Sequence, residues 1–72
     1  MDMKKYYKEL AKSIRVERAK NKISQQQLAE MAGISIETIG QIEREIANPT
    51  LSTIISIALA LKINLDDLIL LK

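Results

Sequence analysis

Apolar residues recur at helical spacing along most of the chain. Tyr7, Leu10, Ala11, Ile14 and Arg18 make one i, i+3, i+4 stripe, while Lys8, Glu9, Lys12 and Arg15 fall elsewhere, which predicts a helix over about 4–21. Ser24 can cap the next helix, and Gln27 completes a Ser-x-x-Gln capping box. That helix is short, about 25–32, with Leu28, Ala29 and Ala32 inward, and Gly33 stops it because glycine can turn left-handed at C′ without steric cost. Ser35 caps a third helix only two residues later, over about 36–44. Two short helices joined so tightly cannot stack antiparallel and must cross steeply. Asn48-Pro49 disfavours helix, so 45–49 is read as a loop. Thr50 caps a fourth helix, about 51–61, with Leu51, Ile54, Ile55, Ala58 and Leu61 on one face. Asn64 caps a fifth, about 65–71, whose first turn holds Asp66 and Asp67 at the positive end of the helix dipole.

One residue resists this pattern. Gly40 lies inside the third helix, where glycine costs roughly 0.5–1 kcal/mol relative to alanine. Ile39 and Ile42 define the inward side of that helix. Ile36, Glu37, Gly40, Gln41 and Arg44 then face outward.

Composition narrows the class. Seventy-two residues make one domain at most, near the lower size limit for folding without staples. The apolar fraction is 47% and the aromatic fraction 3%, so the core must be aliphatic. One proline and two glycines leave little room for long loops or many tight turns, which favours an all-α domain. There is no cysteine and no histidine, so disulfides, thiolate metal sites and the commonest general base are excluded. No metal, cofactor or small-molecule ligand is expected. The apolar run 57–61 is far short of the ~20 residues of a membrane span, and no apolar stretch follows the lysine-rich start, so neither a membrane partner nor a signal peptide is expected and the reading is cytoplasmic.

Net charge is +2 but uneven: residues 1–22 carry eight Lys/Arg and three acids, the rest three basic and six acidic groups. A basic half of this kind suits a polyanion partner, or is simply a solvated lysine-rich face.

The ordered motifs carry more. Ile23-Ser24-Gln25, Leu28-Ala29, Gly33-Ile34-Ser35, Ile39-Gly40-Gln41-Ile42-Glu43-Arg44, Asn48-Pro49-Thr50-Leu51 and Leu65-Asp66-Asp67-Leu68 follow one another without a gap. With Ile14-Arg15 and Arg18, the pattern covers roughly residues 8–69 and closely resembles the Cro and lambda-repressor-like helix-turn-helix family. The resemblance implies a compact five-helix DNA-binding domain spanning residues 1–72, with helices two and three forming the helix-turn-helix. It also implies double-stranded DNA as partner, a homodimer, and a dyad-symmetric operator with helix three in the major groove.

On that reading Gln41 is the foremost base reader, since an amide can bond adenine N6 and N7 together, although a merely solvated glutamine is the plainer alternative. Glu37 can accept from cytosine N4, repel wrong sites, or be simply exposed. Ile36 can touch a thymine methyl or merely close the helix start. Gly40 either lets the duplex come close or is a tolerated substitution. The resemblance places Gln25 at a phosphate, with Gln26, Ser35, Arg44, Lys20, Lys22, Asn48 and Thr50 as further backbone contacts. It also implies a structural ion pair between Arg18 and Glu43.

The sequence departs from the family where glycine often follows a helix: Lys22, Glu45 and Lys62 stand there, and must enter the left-handed region at some cost or turn the chain differently. The loop 45–47 lacks basic residues. Leu59, Ile69, Leu70 and Leu71 exceed what the core needs, which predicts a dimer interface through the fifth helix, the alternative being a frayed end. The functional expectation is a transcriptional regulator that represses by occupying its operator. The alternatives are a restriction–modification controller protein, or an antitoxin that binds DNA for autoregulation. No catalytic constellation is visible, so an enzyme is not expected.

Overall fold

A computed structural model describes residues 3–69. It is all-helical, with α1 (Lys4–Asn21), α2 (Gln25–Ala32), α3 (Ile36–Glu43), α4 (Leu51–Leu61) and α5 (Leu65–Ile69). The helix starts follow their caps. Ser24 Oγ accepts from Gln27 N–H at 3.0 Å, and Gln27 Oε1 accepts in return from Ser24 N–H at 2.8 Å. Ser35 and Thr50 accept from the amides of Thr38 and Thr53 at 3.1 and 3.2 Å. At the start of α5 the Asp67 N–H donates to the Asn64 carbonyl at 3.0 Å.

The helix ends share one device. Lys22, Gly33, Glu45 and Lys62 all sit in the left-handed region, with φ of 55°, 70°, 63° and 58°. The amide of each following isoleucine reaches back to a carbonyl five residues earlier: Ile23 to Arg18, Ile34 to Ala29, Ile46 to Gln41 and Ile63 to Ala58. These are Schellman closures, and an apolar residue in second place past the helix end belongs to the motif. Three of the four lack glycine and carry the strain of a Cβ in that region. Ile23, Ile34 and Ile63 pack against the core, whereas Ile46 remains 68% exposed.

The core is aliphatic. Leu10, Ile14, Leu28, Ile39, Ile57 and Leu68 are its fully buried large side chains. α1 packs on α3 and α5, α2 on α3 and α4, and α4 on α5. The long first helix thus backs α3 and leaves the other side of α3 open.

Three expectations change. α3 stops at Glu43, and Arg44 is its C-cap at φ −91°, ψ 2°. On α4 the inward side is rotated. Ile57 is buried, while Leu51 and Ile55 are exposed, because α2 and α5 cover the side centred on Ile57, Ala58 and Leu61. On α5, Ile69 is half-buried against the core of its own chain, and Leu70 and Leu71 lie outside the described residues.

Candidate nucleic-acid interface

α3 is held from behind by a cluster of bonds on Glu43. Arg18 Nε donates to Glu43 Oε2 at 2.7 Å and Arg18 Nη2 to Oε1 at 2.9 Å, a bidentate fork. The Glu43 side chain is 6% exposed and that of Arg18 20%. The hydrogen bond to Glu43 raises the Arg18 guanidinium above its usual range, so its charge persists at any pH the fold meets. Arg18 Nη1 also donates to the Ile23 carbonyl at 3.1 Å, tying the pair to the turn that leads into α2. Gln25 Nε2 donates to Glu43 Oε1 at 3.1 Å. Gln25, which the resemblance places at a phosphate and as a support of the reader helix, thus bridges the start of α2 to α3.

Arg15 completes the cluster. Its Nη1 donates to the Glu43 main-chain carbonyl at 2.7 Å, satisfying one of the free carbonyls at the end of α3. The sequence reading left Arg15 outside any role. The available signal was its place one turn before Arg18 on α1. Among the described residues no buried side-chain nitrogen or oxygen lacks a partner.

The front of α3 is different in kind. Ile36, Glu37, Gln41 and Arg44 are exposed. Among the described residues the side chains of Glu37, Gln41 and Arg44 have no hydrogen-bond or ion-pair partner. Four predicted outward residues thus share one open face, and the fifth does not. Gly40 is buried, because the Arg44 side chain folds back over it. The expectation that Gly40 stands open to an approaching duplex is corrected accordingly.

The predicted backbone contacts divide. Gln26 is exposed on α2 and 3.5 Å from Glu30, at the limit of a hydrogen bond. Ser35 and Thr50 are exposed, with their hydroxyl oxygens engaged as caps. Lys20 and Lys22 are exposed at the end of α1, and Lys20 lies 3.4 Å from Glu17. Asn48 Oδ1 accepts from the Tyr7 hydroxyl, which fastens the 45–49 loop to α1. Leu59 is 73% exposed, and with Leu51 and Ile55 it forms an i, i+4, i+8 stripe along the outside of α4.

Two short helices, a tight left-handed turn at Gly33 and an open face on the second helix define a helix-turn-helix. Sequence and structure comparisons agree. The family model Helix-turn-helix (HTH_3) matches residues 12–68, and the chain belongs to this Cro and lambda-repressor-like family of DNA-binding transcription regulators. It is 42% identical over 69 residues to the control protein C.SmaI of Serratia marcescens, covering 96% of this chain and 79% of that one. Among solved structures it resembles the hypothetical transcription factor NHTF from Neisseria, with TM-score 0.88 and 30% identity over 97% of this chain and 80% of the other. The restriction-modification controller protein C.AhdI from Aeromonas hydrophila superposes with TM-score 0.82 and 29% identity, over 86% and 94% of the two chains. An HTH_3 family transcriptional regulator from Vibrio cholerae matches at TM-score 0.87 and 25% identity, over 93% of this chain and 38% of that one. No helix among the described residues is long and apolar enough to cross a membrane.

Proposed function

We propose that this protein is a sequence-specific transcriptional regulator of the controller type, which binds a dyad-symmetric operator as a homodimer. The observation that carries the reading is the asymmetry of α3. Its back is fastened by Arg15, Arg18 and Gln25 through Glu43. Its front presents exposed polar groups without partners among the described residues. A reader helix needs both, since base contacts require a fixed register and free donors and acceptors. In this assignment Gln41, Glu37 and Ile36 meet base edges. Gln26, Ser35, Lys20, Lys22, Asn48 and Thr50 meet the sugar-phosphate backbone, with Gln25 at the α2 start helping to hold the reader in place.

The controller reading is favoured over a general repressor by the likeness to C.SmaI and C.AhdI. One copy offers one reader helix, and two copies related by a dyad would place two readers ~34 Å apart. Leu59 at 73% exposure, with Leu51 and Ile55 beside it, supplies apolar surface for that contact.

Mobility shift on random and on selected duplexes, across a salt series, tests the reading. It predicts a preferred site with dyad symmetry, two chains per site, and affinity falling steeply with salt. Absence of binding to any duplex would sink it. A monomer in sedimentation at tens of micromolar, occupying one half-site on DNA, would remove the dimer.

A further inference from the structure

We infer that Arg44 reads a guanine in the major groove, and that Gly40 is the seat that holds its guanidinium over α3; this rests on the DNA-binding reading above. Arg44 caps α3, and a side chain there leans back toward the helix N-terminus, over the residue four positions earlier. That residue is Gly40. A Cβ built on Gly40 would lie 3.1 Å from Arg44 Nη1, 3.8 Å from Cζ and 3.9 Å from Nη2. Beyond residues 39 and 41 and the local helix backbone, the three atoms nearest that position are all guanidinium atoms. The group rests on bare helix backbone, at a distance that a real Cβ would crowd.

Position and valence then favour a base over a phosphate. The guanidinium does not trail off the end of α3. It lies one turn inside, in the row formed by Glu37, Gly40, Gln41 and Arg44. Among the described residues it donates no hydrogen bond and forms no ion pair, not even with Glu37 in the same row. The negative end of the helix dipole favours an arginine near this terminus, but that attraction asks nothing of residue 40. Two parallel, unused N–H groups on a helix face match the O6 and N7 acceptors of guanine. Gly40 is thus a positioning residue. Its lack of a side chain sets where Arg44 lies.

The test uses the full chain and an operator recovered by in vitro selection, together with operators altered one base pair at a time. Arg44→Lys keeps the charge and removes the fork. It is expected to lower discrimination at one guanine in each half-site by about 10-fold or more. Gly40→Leu is expected to lose preference at the same base pair, and to cost nothing further in an Arg44→Ala background. Gly40→Ala, a better helix former, gives the same readout in milder form should Gly40→Leu fail to fold. If Arg44→Lys leaves every preference intact, or if Arg44→Ala weakens all sequences equally and reduces the salt slope by about 1, Arg44 holds a phosphate and the inference falls alone. Losses at different base pairs for the two positions would also overturn it. A wild-type chain with no sequence preference would overturn both this inference and the proposed function.

Discussion

On its inner side α3 presents Ile39, Ile42 and Glu43, all buried, and Glu43 alone collects bonds from three other side chains. On its outer side, barely half a helix turn away, Glu37, Gln41 and Arg44 collect none among the described residues. The difference shows how an eight-residue helix and its C-cap can be both fixed and chemically available. Fixing the back from α1 and α2 leaves the front free of any structural duty. Changes on the two sides should therefore separate cleanly, with stability lost behind and recognition lost in front.

The largest effect is expected from the back. Arg18→Ala leaves the Glu43 carboxylate, 6% exposed, with Gln25 as its remaining side-chain donor. Removing one partner of a buried pair costs about 3–5 kcal/mol. Glu43→Ala should cost less, because Arg18 is 20% exposed, can rehydrate, and keeps its bond to the Ile23 carbonyl. Denaturant unfolding of both single variants and the double variant measures their coupling. Coupling near zero would break the claim that the back of α3 is one unit.

In front, Gln41→Ala removes an exposed side chain with no partner among the described residues, so stability should move by no more than about 0.5 kcal/mol. Binding to the preferred operator should weaken by about 1–3 kcal/mol, concentrated at one base pair. A variant that unfolds more easily but binds unchanged would reverse the comparison.

The left-handed helix ends give a smaller effect and a check on strain. Glu45 holds φ 63° at the closure that follows α3, without the freedom of glycine. Glu45→Gly removes a cost of about 1–2 kcal/mol in the folded state but adds chain entropy to the unfolded one. The expected outcome is a net gain below about 1 kcal/mol in thermal unfolding. A loss of stability would mean that the Glu45 side chain contributes something the geometry does not show.

What the sequence could carry was local or periodic. Ser24, Gln27, Ser35 and Thr50 announce their helices because capping is settled within three residues. Lys22, Glu45 and Lys62 stood out only against the glycines usual in the family, which left strain or a different turn open, and their positive φ decides for strain. Which side of α4 turns inward was not legible. That helix is apolar nearly all round, from Leu51 to Leu61, so periodicity leaves the rotation to tertiary packing, and Leu51 and Ile55, grouped on one face with Ala58 and Leu61, are exposed while those two are buried. Arg15 was missed for a related reason, since it serves a main-chain carbonyl and a carbonyl leaves no trace in the pattern of side chains. The pairing of Tyr7 with Asn48 joins residues 41 apart in sequence and could not be read from either neighbourhood.

Gly40 lies where the two sides of α3 meet, and the effect there should be the smallest. Replacing an interior glycine by alanine stabilises a helix by roughly 0.5–1 kcal/mol. Here the new methyl would stand 3.1 Å from Arg44 Nη1, so the guanidinium must give by a few tenths of an ångström. It is the far end of a flexible, exposed side chain, and that shift is cheap. Gly40→Ala should therefore raise stability by about 0.5 kcal/mol. Thermal unfolding of Gly40→Ala beside Gly40→Ala/Arg44→Ala decides it. A gain that grows when Arg44 is absent measures the crowding directly. A net loss in the single variant would show that α3 needs the bare backbone for its own packing, and that the outer side is not free of structural duty.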